Sequence, residues 1–363
     1  MKILIVDSDT LQQHIPVNAD FAMQRIAPFL FRAQREHLLP LLGRLLLNQL
    51  QLLVDDEAAY SNVIADIAAQ NFLIAQHNLT HPDNLRPLVP TIPSVPQMQA
   101  LLPWVQAPLA ALAYELYIPW GQLNIGSTGF RIVVSASEKT AFQWQINDLE
   151  TSARNIGYTA LEGLLEFLEE NKSSYTAWTA SETYAEAAVC FVPTAKEFSR
   201  VFNIRNSRLT YLRVVGIMQR VESNQIKGAL CTPLFLELKA QMLARNLSPE
   251  NQKLLELIKP AVVLFSMHRA LLELSVKITD NGVMLFNNNN SQTTQVEQPA
   301  ELSRLEKMRE EAKTEAEAYL LSLNKCLRDN LDSYPLFRDS PCYVPERTER
   351  YQNNATHKTY FAG

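Results

Sequence analysis

The sequence has 363 residues, of which 47% are hydrophobic and 20% are charged, and its formal net charge is −5. These values are typical of a globular protein with room for two domains of roughly 150–190 residues. The acidic balance argues against a protein that coats nucleic acid. The most apolar stretch, residues 38–54, is interrupted by Arg44, Asn48, Gln49 and Gln51, so we predict no membrane span.

In chain order, the first half starts with a short predicted strand over residues 2–6. A helix is predicted over 21–35, a break at Pro40, and a second helix over 41–54 with a broad apolar face. A third helix is predicted over 57–76 because apolar or amide residues recur along one side. These are Tyr60, Ile64, Ile67, Asn71 and Ile74.

The next segment, residues 81–96, contains five prolines and is predicted to be an extended connector. An apolar helix follows over 98–116, with a kink or a break expected at its two prolines. Alternating apolar residues around Gly126-Ser127-Thr128-Gly129 predict a β-hairpin over 122–134. A long amphipathic helix over 138–171 completes the first half, with Gly157 as a candidate interruption.

The second half repeats this order. A strand is predicted over 189–192, and helices over 208–222, 225–244, 249–274 and 300–330. A second hairpin is predicted over 275–286, between the last two of these helices.

The repetition is visible in the sequence itself. Arg25 to Ala33 matches Arg213 to Val221, 188 positions later, and the leucines that follow match without a gap. Further on, Ser174-Tyr175-x-x-Trp178 matches Ser333-Tyr334-x-x-Phe337. The fold class predicted is therefore mainly α, with two tandem, duplicated helical-bundle domains, each with a small β-hairpin. The domains are assigned to residues 1–180 and 181–340, followed by an extended C-terminal arm at 341–363.

The sequence carries no strong catalytic signal. His77 and His81 are four residues apart, but Pro82 ends the helix there, so exposed loop histidines are favoured over a metal site. The Gly126–Gly129 segment lacks the lysine and helix start of a phosphate-binding loop. We therefore predict no catalytic, cofactor-binding or metal-binding residues and no enzymatic activity.

The four cysteines, Cys190, Cys231, Cys326 and Cys342, are widely spaced and form no C-x-x-C pair. Most lie in apolar periodic segments. The pattern predicts buried thiols in a reducing compartment, with no disulfide framework.

Candidate interface residues come from two patterns. Arg25 and Arg32, and their counterparts Arg213 and Arg220, are seven residues apart and share a helix face. They are interpreted either as partners in intramolecular salt bridges or as contacts with an acidic neighbouring subunit. The arm lacks helical periodicity but holds aromatic residues of the kind enriched at interface centres. These are Tyr343, Tyr351, Tyr360 and Phe361. Docking of the arm on another subunit is the hypothesis, and a disordered terminus is the alternative.

Three blocks of sequence resemble proteins of phages and prophages of Bacteroidetes, in a family of unknown function. They include RIAPFLFRAQREHLLPLLGRLLLNQL, GYTALEGLLEFLEEN and FVPTAKEFSRVFNI. That family is similar to the helical head–tail connector (adaptor) proteins of tailed phages, which stack as a ring beneath the portal and have no enzymatic activity. Such connectors are about a third of this length and have a single domain.

The resemblance implies a virion structural protein, made in the bacterial host cytoplasm, that forms a homo-oligomeric ring between portal and tail components. No membrane contact and no cofactor are expected, and DNA at most passes through a lumen. Two alternatives stay open. One is a neck, tail-completion or baseplate component of a phage-like contractile particle. The other is a cytosolic helical enzyme or ligand-binding protein, which a buried pocket with converging polar groups would favour.

Overall fold

The structure, a computed structural model, describes residues 2–18, 21–121, 123–126, 129–132, 142–274, 276–279, 282–285 and 302–344. The described residues are predominantly helical, which confirms the mainly α fold class. The first half contains α1 (Ser8–Gln12), α2 (Met23–Ala33), α3 (Leu39–Asp55), α4 (Glu57–Thr80), α5 (Val95–Gly121) and α6 (Gln143–Glu170). The second half contains α7 (Thr176–Thr179), α8 (Glu182–Ala188), α9 (Ala195–Val201), α10 (Arg208–Val221), α11 (Lys227–Leu243), α12 (Pro249–Glu273), α13 (Leu302–Asp329) and α14 (Pro335–Arg338).

Two short antiparallel strand pairs lie within the predicted hairpin ranges. Strands β1 (Leu123–Gly126) and β2 (Gly129–Ile132) pair so that Leu123 faces Ile132. Strands β3 (Val276–Thr279) and β4 (Gly282–Leu285) pair in the same register, with Val276 facing Leu285. The remaining residues of ranges 122–134 and 275–286 lie outside the described residues.

The two halves repeat the same irregularities as well as the same helices. A π-helical turn lies between α2 and α3 at Gln34–Leu38, and its counterpart between α10 and α11 lies at Glu222–Ile226, 188 positions later. Helices α3 and α11 have 17 residues each, and α6 and α13 have 28 each. Since π-turns are rare, their recurrence at equivalent positions indicates two copies of one structural plan.

Each copy also has a helix broken at the same point. Gly43 in α3 has φ 77° and ψ 158°, and Cys231 in α11 has φ 64° and ψ 156°. The predicted break at Pro40 is therefore wrong. Pro40 lies in the first turn of α3, where its missing N–H is not needed for a helical hydrogen bond.

The predicted strands at 2–6 and 189–192 are also wrong, because neither segment pairs with a strand. A side chain takes the place of a strand partner in the first. The Gln34 side chain accepts a hydrogen bond from the Leu4 N–H at 3.2 Å and donates one to the Lys2 carbonyl at 2.8 Å. In the second, the Tyr211 hydroxyl donates to the Val192 carbonyl at 2.7 Å.

By its contacts, the chain divides into two compact units. Unit 1 comprises Met1–Val215 and Leu274–Arg304, and unit 2 comprises Gly216–Glu273 and Leu305–Gly363. This division differs from the predicted boundary at residue 180, since residues 181–215 belong to unit 1. Contacts of Thr183 and Arg208 with the first copy, described below, account for that placement.

The core of unit 1 is built around α5, which packs along α6 and α2. Helix α5 is continuous over its 27 residues although Pro103 and Pro108 lie inside it, so the expected break does not occur. Gly157 does not interrupt α6 either. A β-carbon there would lie 2.6 Å from the Leu112 side chain, so glycine lets α6 approach α5 closely.

In unit 2, the apolar sides of α11, α12 and α13 are buried. They include Leu234, Leu238, Leu254, Ile258, Val262, Leu323 and Leu327. The Tyr334 hydroxyl donates to the Glu250 carbonyl at 3.0 Å, in the first turn of α12. Tyr175 makes the equivalent bond in unit 1, to the Gln97 carbonyl of α5 at 2.8 Å. Each copy therefore ties the segment after its last long helix to the start of its core helix.

One helical stretch of the described residues, Met23–Asp55, is long and apolar enough to cross a membrane, with a mean hydropathy of 1.2. It includes the π-turn and the break at Gly43. Its inward residues Ile26, Leu30 and Leu46 are fully buried in unit 1, as expected for a core element of a folded domain.

Candidate interaction site

A short cap follows the last long helix of each copy, at residues 176–184 in the first and 335–343 in the second. In the first cap, the Trp178 indole N–H donates to the Leu41 carbonyl at 3.2 Å, and the Thr183 hydroxyl donates to the Pro40 carbonyl at 2.6 Å. Both acceptors precede the break at Gly43. The break thus frees carbonyls of α3, and the cap satisfies them.

A cavity of about 410 Å³ lies where the cap meets the break, lined by Pro40, Gly43, Arg44, Ser181 and Glu182 among others. A β-carbon on Gly43 would lie 2.9 Å from the Ser181 β-carbon. The close approach of cap and helix therefore depends on glycine at this position.

The second cap is joined covalently to its broken helix. Cys231 and Cys342 form a disulfide, with α-carbons 6.0 Å apart. They occupy the positions equivalent to Gly43 and Thr183. The prediction that all four cysteines are thiols is therefore wrong for this pair, whereas Cys190 and Cys326 are thiols. The two cysteines are 111 positions apart, and the sequence gave no signal of their proximity.

A larger, polar cleft of about 920 Å³ lies in unit 1 between α6 and the start of α10. Glu162 of α6 is at its centre. Its carboxylate accepts hydrogen bonds from the backbone N–H groups of Arg208 and Leu209, at 2.7 and 3.0 Å, and from the Ser207 hydroxyl at 2.6 Å. Glu162 thus caps the N-terminus of α10, where a negative charge is favoured.

The other acidic groups of this region are also paired. The Arg208 guanidinium contacts Glu169 at 3.0 Å and Glu166 at 3.4 Å. Burial raises the pKa of the Glu169 carboxyl, and the Arg208 charge opposes that shift. These carboxylates therefore hold α10 against α6.

Two arginines on the rim of the cleft, Arg205 and Arg213, form no ion pair with another described residue. They add positive charge to the cleft beside carboxylates that are already paired. Guanidinium groups in such a setting can bind a carboxylate or another anionic group of a partner through charge-assisted hydrogen bonds.

The four predicted interface arginines are all exposed, but their partners differ. Arg32 pairs with Glu36 on the same helical segment at 2.9 Å. Arg220 pairs with Glu273 within unit 2. Arg25 and Arg213 form no ion pair among the described residues. Intramolecular pairing thus accounts for the second arginine of each copy, and the first remains available.

The predicted arm at 341–363 is not extended at its start. Residues 341–343 belong to the second cap: Cys342 is bonded to Cys231, and the centroid of the Tyr343 ring lies 5.7 Å from that of Phe337. The equivalent pair in the first cap, Trp178 and Tyr184, is 4.7 Å apart. The structural repeat therefore extends beyond Trp178 and Phe337, the last pair of residues matched in the sequence. Tyr351, Tyr360 and Phe361 lie outside the described residues.

Histidine and acidic side chains do not form a metal site in the part of the chain that the structure describes, where no group of three or more potential ligands comes together. His77 and His81 stack with ring centroids 4.4 Å apart, at the end of α4. The His81 Nδ1 lies 2.8 Å from the Thr80 hydroxyl, so local hydrogen bonding accounts for its position.

A family model described as a family of unknown function, DUF6712, matches residues 38–188 and 226–347. The two segments start 188 positions apart, at the ends of the two π-turns, and both include a cap. No curated protein and no solved structure matches the chain. The matched segments cover most of the sequence and follow the structural repeat, and the chain belongs to the DUF6712 family of unknown function.

Proposed function

We propose that this chain is a non-enzymatic structural protein of a phage or prophage particle, a head–tail connector that assembles into a ring between portal and tail. The proposal starts from the resemblance of its sequence to the helical connector family. Two similar helical copies in one chain suit a scaffold, because each subunit then presents related surfaces to its neighbours.

The observation that carries the proposal is the recurrence of one exposed arginine at the same place in both copies, Arg25 on α2 and Arg213 on α10. Neither forms an ion pair with another described residue. Arg213 lies beside Arg205 on the rim of the polar cleft. A chain with a net charge of −5 offers acidic surface for such cations to contact. Contact between the arginine face of one subunit and an acidic face of the next is heterologous, which is the kind that generates rings.

The polar cleft does not favour the enzyme alternative. Its central carboxylate caps a helix, and the neighbouring carboxylates are paired with Arg208. Neck, tail-completion or baseplate placement remains an alternative within the same structural class, since the same faces serve any ring-forming position.

The proposal is tested on the full-length protein by mass photometry and negative-stain electron microscopy. We expect ring-shaped oligomers, and we expect the double substitution Arg25→Glu and Arg213→Glu to reduce them at least tenfold at equal concentration. Lys172→Glu reverses an exposed charge outside both faces and should leave assembly unchanged. A chain without oligomers larger than a dimer, alone and when mixed with the portal and tail proteins encoded beside it, would contradict the connector function.

A further inference from the structure

The first copy contains an element that the second lacks. Helix α4 and the connector that follows it occupy residues 57–94, between α3 and α5. In the second copy, α11 ends at Leu243 and α12 begins at Pro249, so only residues 244–248 join them. We call residues 57–94 the α4 segment. It is an insertion into one copy of a duplicated plan, and its surface is not required by the common fold.

One face of α4 is covered by the connector, which runs back along it. The Asn71 side chain donates to the Val89 carbonyl at 2.9 Å and accepts from the Val89 N–H at 2.7 Å. Asn78 makes the same two bonds with Arg86, at 2.9 and 2.7 Å. The Tyr60 hydroxyl donates to the Pro93 carbonyl at 2.7 Å. The connector therefore covers this inner face of α4 and satisfies its polar side chains.

The opposite face of α4 is uncovered. Positions spaced alternately by four and three residues form a second stripe. Each lies two residues before a position of the inner face and thus about 200° around the helix. We call it the outer stripe, and every member is exposed. It consists of Ala58, Asn62, Ala65, Ala69, Phe72, Gln76 and Leu79. Phe72 is 62% exposed and Leu79 is 84% exposed, and Leu73 beside them is 63% exposed.

The composition of α4 is unusual for a helix in water. Among its 24 residues, Glu57 and Asp66 are its only carboxylates, and it has no lysine or arginine. A helix whose outer face is solvated normally carries charged residues there. A spacing of 3.5 residues with apolar members is the pattern of a helix that packs on another helix.

We propose that the outer stripe is a self-association surface, on which the α4 helix of a second copy of this chain packs antiparallel. The distribution of side-chain sizes supports this orientation. Large residues, Phe72 and Leu79, lie in the C-terminal half, and small ones, Ala58 and Ala65, lie in the N-terminal half. An antiparallel pair therefore sets large residues against small ones, which fills the interface without voids or overlap.

Charge supports the same orientation. In an antiparallel pair, Glu57 lies at opposite ends of the two helices, and the two Asp66 carboxylates are displaced along the axis. A parallel pair would place Asp66 next to Asp66, and like charges at that distance are unfavourable. It would also set Phe72 against Phe72 and leave a gap where Ala65 faces Ala65.

The available area is sufficient for a modest dimer. The helix is about 36 Å long. Together with Leu73 and the alanines, a pair of outer stripes would bury on the order of 1,000 Å² in total, near the lower limit for specific interfaces. The dimer is therefore expected to depend on protein concentration.

This contact is isologous, since the same surface serves both partners, and so it closes two chains into a pair. It goes beyond the ring contact proposed above and does not depend on it, because it uses neither Arg25 nor Arg213. Loss of one contact leaves the other measurable.

Cysteine cross-linking of the full-length protein with a short bis-maleimide tests the orientation. Antiparallel pairing places residue 69 near the twofold axis, so Ala69→Cys should cross-link to itself. Leu79→Cys alone should not, but a mixture of Leu79→Cys with Ala58→Cys should give a cross-linked dimer. Wild-type protein is the control for its own cysteines. Cross-linking of Leu79→Cys to itself, or none in any of these samples, would overturn the proposal.

Sedimentation equilibrium tests the energetic role of the stripe. We expect Leu79→Asp to weaken self-association by at least tenfold while circular dichroism stays unchanged. Leu243→Asp changes an equally apolar residue, 59% exposed and outside the α4 segment, and should have no effect. Equal association constants for the two variants would refute a self-association surface on α4.

Discussion

The break at Gly43 gives the sharpest test of how the cap is held. We predict that Gly43→Ala destabilises the protein strongly for so small a change. With φ 77° and ψ 158°, Gly43 is in a region of backbone space that is essentially restricted to glycine, and placing another residue there costs roughly 1–3 kcal/mol. The new methyl group would also lie 2.9 Å from the Ser181 β-carbon. Carbon atoms prefer about 3.5–4 Å, so the cap must shift.

The two effects together predict a loss of about 2–4 kcal/mol, measured by differential scanning calorimetry of the full chain. In a chain of this size, each kcal/mol lowers the Tm by roughly 2–4 °C, so the transition that includes unit 1 should fall by several degrees. Gly228→Ala is the matched control. Gly228 is exposed in helix α11 with nothing within 4 Å of a β-carbon, and there alanine should stabilise by about 0.5–1 kcal/mol.

The equivalent position in the second copy allows the backbone part to be measured separately. Cys231→Gly and Cys231→Ser both remove the disulfide, but only glycine accepts φ 64° without strain. Cys231→Gly should therefore be the more stable of the two, by about 1–3 kcal/mol. If Gly43→Ala matches wild type in Tm, or if the two Cys231 variants are equally stable, the reasoning from positive φ is refuted.

Three further predictions concern other parts of the chain. Glu162→Ala should lower stability by about 1–3 kcal/mol in urea unfolding, because it leaves the N–H groups of α10 without an acceptor, whereas Glu170→Ala, at an exposed site, should be close to neutral; equal losses would show that the capping bonds contribute nothing. Cys342→Ser should lower the Tm of unit 2, because the disulfide joins residues 111 positions apart and, by constraining the unfolded chain, stabilises the fold by up to roughly 5 kcal/mol. Alkylation of unreduced, denatured wild type at four cysteines instead of two would contradict this. Burial raises the pKa of Tyr60 to about 12, so its contribution to stability is complete below pH 10 and should be lost as the pH rises from 10 to 12. Tyr60→Phe should flatten that part of the stability–pH curve. An unchanged curve would argue against a buried hydroxyl.

The sequence predicted what depends on local pattern. Helix α4 was expected at 57–76 and is found at Glu57–Thr80, with the predicted inner face in contact with the connector. The repeat could be recognised in the sequence because residues with the same packing role are chemically similar in the two copies. Tyr175 corresponds to Tyr334, and Trp178 corresponds to Phe337. Periodicity and matched residues of this kind are set by short stretches of chain.

What the sequence could not predict depends on contacts between distant residues. The equivalence of Gly43 and Cys231 was hidden because the two residues share no chemistry, only a backbone conformation. The pairing of Cys231 with Cys342 required knowledge of where the cap lies. The strand predicted at residues 2–6 was wrong for the same reason, because it depended on a contact with a distant residue. Gln34 supplies the hydrogen bonds that a neighbouring strand would otherwise provide, and the local sequence does not indicate this.

The presence of the α4 segment in one copy alone has a consequence for any assembly built from this chain. A duplicated protein with identical halves offers each partner two indistinguishable binding modes, and the resulting assemblies differ in direction at no cost in free energy. An insertion in only one half removes that degeneracy. A partner that contacts residues 57–94 can bind in only one of the two orientations. The α4 segment therefore gives the chain a polarity that its internal repeat would otherwise erase.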